Sequence, residues 1–84
     1  MVPPGLEAPP TTTYDARGEP CPLPLLRLAR AVRALRPGDV IALLADDPAA
    51  REDVATWTRR SGHALLAWHQ AADHDVYFVR KRQA

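Results

Sequence analysis

From Leu25 onward the apolar residues Leu25, Leu28, Ala29, Val32 and Leu35 recur at spacings of three and four, while Arg27 and Arg30 project to the other side. That period predicts an amphipathic helix. Arg33 and Arg36 fall in its last turns, where cations meet the negative end of the helix dipole, and Pro37-Gly38 stops it. Asp39 to Ala45 then reads as a short apolar strand built on Val40, Ile41, Leu43 and Leu44, bracketed by Pro37-Gly38 and Pro48. Asp47 before Pro48 predicts a second helix start: the Asp carboxylate accepts orphan N–H groups and the proline fixes the first turn. Ala50, Val54 and Trp57 form the buried stripe of that helix, and Arg59, Arg60 and Gly62 mark its end.

Two further strands follow, His63 to Gln70 and Asp75 to Lys81, joined by the polar turn Ala71-Ala72-Asp73-His74, as expected of a hairpin. Upstream, Thr12, Thr13 and Tyr14 are β-formers that predict a short strand ending near Asp15, after which Gly18 and Pro20 punctuate a loop. The predicted order is β-α-β-α-β-β. Each helix has one apolar stripe, so both pack on one face of a four-stranded mixed sheet, giving a two-layer α/β sandwich. The second face then keeps some apolar surface for a partner. Strict alternation in the third strand sets Ala64, Leu66 and Trp68 on one side and Leu65, Ala67 and His69 on the other.

Composition narrows the picture. Pro3, Pro4, Gly5, Pro9 and Pro10 mark residues 1–12 as a tail expected to lack regular structure, leaving 13–82 as a single domain. A core that small leaves little room for a buried active site, so chemistry at the surface is expected. The 11 basic residues nearly balance the 10 acidic ones. That near-neutral charge, with no aromatics interleaved among the basic residues, argues against direct nucleic-acid binding. No apolar run approaches a membrane span, and no secretory signal precedes the domain, so a cytoplasmic protein with no membrane contact is expected.

The candidate chemistry is one thiol. Cys21 lies between Pro20 and Pro22, at the predicted start of the first helix, and is the only cysteine in the chain. A helix start offers unpaired N–H groups and the positive end of the dipole, and both favour thiolate over thiol. Cys21 is expected to act as the capping residue, supported by Pro22, Leu23, Pro24 and Leu25. Because the two prolines supply no N–H, Leu23 and Leu25 are the nearby donors and a moderate pKa depression follows. A shift from about 8.5 to about 7 ionises half the thiol at neutral pH and needs about 2 kcal/mol. The alternative, a buried cysteine serving as apolar filler, fits poorly with prolines on both sides.

Elimination restricts what that thiol does. A dithiol oxidoreductase needs a second cysteine to resolve its mixed disulfide. A cysteine hydrolase needs an oriented base, and His63, His69 and His74 are all remote in sequence without a recognisable orienting motif. Neither their spacing nor that of Cys21 is one that zinc uses, so no metal and no cofactor are expected. A thiol acting alone can accept a group and pass it on.

The pattern Asp15-x-x-Gly18-x-x-Cys21-Pro22-x-Pro24, followed by a helix, Pro37-Gly38 before a strand and Asp46-Asp47-Pro48-Ala49 before a second helix, resembles the TusA/SirA-like sulfur carriers. The resemblance covers about Thr13 to Lys81. It implies that Cys21 takes sulfane sulfur as a persulfide from a cysteine desulfurase or rhodanese-type donor. A downstream sulfur-accepting protein then receives it, in tRNA thiolation, sulfur oxidation or cofactor assembly. In this reading Arg27 and Glu19 are the partner-binding candidates and Asp47 caps the second helix. Leu23 stands where members acting in tRNA thiolation often carry an acid, which bears on the choice of donor and acceptor. Two other readings are a regulatory module that binds protein or RNA, with Cys21 an inert cap, and a small sulfurtransferase that turns over by itself.

Overall fold

The computed structural model describes residues 9–20 and 22–83. The larger part of the expected tail, residues 1–8, and Cys21 lie outside the described residues. The elements are β1 (Thr12–Asp15), α1 (Leu23–Arg33), β2 (Val40–Ala45), α2 (Ala50–Ser61), β3 (Ala64–Gln70) and β4 (Asp75–Arg80). They form one mixed sheet in the order β1-β2-β4-β3. β1 runs parallel to β2, and β4 is antiparallel to both β2 and β3. The β3–β4 hairpin closes through the Ala71 N–H, which donates to the His74 carbonyl at 2.8 Å.

Both helices lie on one face, as the single apolar stripes require. Leu28 and Val32 of α1 and Ala50 and Val54 of α2 share a buried cluster with Ile41, Leu43, Ala45, Tyr77 and Val79. Register explains the membership: Leu43 sits opposite Tyr77 and Ile41 opposite Val79, so both pairs point to the same side of the sheet. The α1 stripe begins one residue earlier than predicted, because Pro24, the second helical residue, is itself buried. A proline is tolerated there, where its missing N–H has no intrahelical partner to lose. α2 ends at Gly62, whose φ of +83° suits a residue without a Cβ.

The sides assigned to β3 need correction. A register shift between Leu65 and Ala67 breaks the alternation, leaving Leu65 opposite Val79 and Trp68 opposite Tyr77. Leu65 and Trp68 therefore both lie on the helical side, and Arg51 of α2 stacks its guanidinium 4.0 Å from the Trp68 ring. An extra residue in one strand inverts the phase of every side chain after it. On the second face Ala42 and Phe78 lie opposite each other, both buried. Among the described residues the exposed large apolar side chains are Leu23 and Leu26 at the start of α1 and Leu66 and Trp68 on β3.

Candidate functional site

The loop between β1 and α1 is tied down on both sides of the segment that carries Cys21. Asp15 and Arg17 form a bidentate pair, with Nε and Nη2 of Arg17 donating at 2.9 and 2.8 Å, and this pair holds the Asp15 carboxyl at a pKa of about 2. The Gly18 N–H reaches across to both carboxylate oxygens of Asp46, at 3.0 and 2.9 Å. Gly18 itself has φ +84°, a conformation that side-chain-bearing residues rarely adopt. The Ala16 N–H donates to the Leu44 carbonyl at 2.8 Å, continuing the β1–β2 pairing past the strand end. Asp46 immediately follows β2, so the sheet positions one fixed acceptor beneath the loop.

Glu19, two residues before the cysteine, is the second anchor. Its carboxylate accepts the Tyr14 hydroxyl at 2.9 Å and pairs with Nε of Arg27 at 3.3 Å. Burial, then the hydrogen bond to Glu19, raises the Tyr14 hydroxyl above its usual pKa, so the phenol remains a donor at neutral pH. The two partner-binding candidates are thus in contact with each other, and Arg27 is not an isolated cation. Sequence reading missed both anchors because the partners are far apart in the chain or on different elements.

The start of α1 differs from expectation in two respects. The N-cap position falls on Pro22, with φ −101° and ψ 18°, and not on Cys21. The Leu23 N–H, expected to be one of two donors near the sulfur, donates to the Pro20 carbonyl at 2.9 Å. Among the described residues no side chain caps the helix, and its first turn carries no acid. Beside it, Tyr14, Leu23, Leu26, Arg27, Arg30 and Ala31 line an open groove of about 460 Å³. Leu23 and Leu26 are 38% and 59% exposed.

The remaining candidate is Asp47. The expected cap on α2 sits ahead of the helix proper: Oδ1 of Asp47 accepts the Ala49 N–H at 2.8 Å, while the N-cap position of α2 is Ala49, whose own side chain makes no capping bond. Among the described residues no three His, Asp or Glu side chains converge so as to hold a metal ion. His63 lies at the far end of the helices, its Nδ1 accepting the Arg82 N–H at 3.0 Å, and His74 pairs with Asp73 in the hairpin turn.

The family model for the sulfurtransferase TusA matches residues 12–81, from the first residue of β1 to just past β4. The chain belongs to the TusA family. A sulfur carrier protein TusA of Pseudomonas entomophila is 37% identical over 70 residues, covering 83% of this chain and 88% of the relative. A putative sulfur carrier protein, YrkI, of Bacillus subtilis is 31% identical over 67 residues, covering 80% and 89%. A SirA-like protein of Desulfitobacterium hafniense shares the fold, with a TM-score of 0.75 at 22% identity over 84% of this chain and 97% of the other. The TusA match spans every element that shapes the loop and the α1 start. Neither helix among the described residues is long and apolar enough to cross a membrane.

Proposed function

We propose that this TusA-family chain is a sulfur carrier whose working group is Cys21. The thiolate attacks the outer sulfur of a donor persulfide. The donor's S–S bond breaks, its thiolate leaves, and a persulfide remains on Cys21. An acceptor thiolate then attacks the terminal sulfur and restores the Cys21 thiolate, so the cycle needs no net oxidant. The observation that carries this reading is that the helix start directly after the cysteine has no acid in its first turn and, among the described residues, no side-chain cap. Its positive end is therefore not offset from within and favours an anionic sulfur at the preceding residue.

A cysteine desulfurase or rhodanese-type protein is the donor in this proposal, and a second protein is the acceptor, in the cytoplasm. The carrier unit is 13–82, preceded by the tail 1–12. Exposed Leu23 and Leu26 beside Arg27 and Arg30 favour docking of these proteins at α1, where a partner carboxylate can replace Glu19 on Arg27. Incubation with a desulfurase and free cysteine should add about 32 Da per sulfur to the wild-type chain and nothing to Cys21→Ser, read by intact-protein mass spectrometry. Equal loading of both proteins would refute the assignment.

A further inference from the structure

At the opposite end of α1 from the cysteine, roughly 15 Å along the helix axis, is a concave site of different character. It measures about 420 Å³ and lies where the ends of both helices meet the segment after β4. Arg33, Lys81 and Arg82 line it together with Trp57, His63 and Ser61, and among the described residues no acid lines it. The Trp57 and His63 rings pack at 5.1 Å between centroids, tilted by 44°, and make an aromatic wall.

The plain structural reading is that these cations serve the helices. Lys81 Nζ donates to the Leu35 carbonyl at 2.7 Å and approaches that of Arg33 at 3.3 Å, and Nη1 of Arg82 donates to the Ser61 carbonyl at 3.1 Å. That accounts for only part of the charge. Two helix C-termini carry roughly half a negative charge each, so three cations leave an excess of about +2. Each guanidinium has five N–H donors, and only one contact from Arg82 is used on Ser61. His63 adds no charge of its own: burial, then Arg82 and Lys81, lower its pKa and keep it neutral. Since Nδ1 accepts the Arg82 N–H, the proton of the neutral ring is on Nε2, a further donor.

We propose that this hollow binds a mononucleotide, with its phosphate on Arg33, Lys81 and Arg82 and its base against the Trp57–His63 wall. Cationic forks match phosphate oxygens, and a flat ring stacks on an aromatic or guanidinium plane. The volume and single aromatic wall suit one nucleotide, and the near-neutral chain does not offer the extended basic track that a nucleic-acid strand needs. The inference is independent of sulfur transfer, because it uses none of the residues at the α1 start.

The test is a two-dimensional NMR titration of the full chain at low salt with adenosine monophosphate, inorganic phosphate and a short uridine oligonucleotide. The expected result is a set of shifts on the Trp57 indole, His63 and Arg33, with the nucleotide binding more tightly than phosphate alone. Arg33→Glu should weaken it roughly tenfold or more. Among the described residues the Arg33 side chain makes no hydrogen bond or ion pair that the fold depends on, its carbonyl alone accepting from Lys81, so this variant keeps its spectrum. Arg59→Glu, the same charge change outside the lining, should weaken binding less than threefold. Equal binding of nucleotide and phosphate, equal loss in the two variants, or an oligonucleotide that binds while the mononucleotide does not would each overturn the proposal.

Discussion

α1 and α2 start in opposite ways. Before α2, Asp47 accepts the Ala49 N–H, and Glu52 and Asp53 stand in the first turn, so carboxylates offset the positive end. α1 has Pro22 at its N-cap, Pro24 at its second position and no acid. One helix is stabilised at its start by acidic side chains, and the first turn of the other has none. The contrast shows where the fold forgoes local stability: α1 relies on its buried stripe and on the anchored loop. Leu28→Ala should therefore be the most damaging of the changes to this contrast, costing about 3 kcal/mol in urea denaturation, because Leu28 is fully buried. A loss under about 1 kcal/mol would mean that the stripe does not seat α1.

Asp47→Ala probes the other side of the contrast. Removing the acceptor of the Ala49 N–H should cost about 1 kcal/mol, near the usual value for a lost cap, and should leave Cys21 alkylation unchanged. If alkylation changes as much as stability does, the two helix starts are coupled and the contrast fails. Asp46, one residue earlier, serves the loop by a different contact, through the Gly18 N–H. Adjacent aspartates thus support one helix start each.

Much of this was legible in the chain. Spacing of apolar residues gave both helices and the element order, because one-sided burial imposes that period directly. Gly62 marked the end of α2 for a conformational reason that the sequence carries by itself, whereas α1 ends at Arg33, before the Pro37-Gly38 expected to stop it. What escaped was anything set by pairing across space. The bulge near Leu66 depends on how β3 meets β4, so alternation alone misplaced Trp68. The Tyr14–Glu19–Arg27 and Gly18–Asp46 contacts join residues that only the parallel β1–β2 pairing and the α1 crossover bring together. Pro24 was readable as helical only once its burial was seen.

A smaller effect sharpens the contrast at the α1 start itself. Leu23→Glu gives α1 the first-turn acid that α2 already has. Leu23 is 38% exposed, so the carboxylate is accommodated without burying a charge. It should stabilise the helix by about 0.5 kcal/mol and make thiolate formation at Cys21 less favourable. At pH 7 the expected result is alkylation by iodoacetamide about threefold slower than in the wild type. Unchanged or faster alkylation would show that the dipole of α1 does not reach the sulfur.

The other ends of the same helices do not differ in this way, since consecutive residues, Lys81 and Arg82, serve both. His63 reports on that shared end. Its folded-state pKa lies below the usual value, chiefly through burial and then through Arg82 and Lys81. The unfolded chain therefore takes up the proton first as pH falls through about 6.5, and protonation pulls the equilibrium towards unfolding. The sign is fixed: this contribution is complete above that pH and declines below it. Urea midpoints measured from pH 7.5 to 5.5 should fall in the wild type, with the decline reduced in His63→Gln, whose amide has no proton to gain. The window avoids the Asp15 carboxyl, which titrates far lower, at about 2. A midpoint that rises on acidification, or an identical decline in His63→Gln, would show that the imidazole is not held neutral by burial and by the cations that cap both helices.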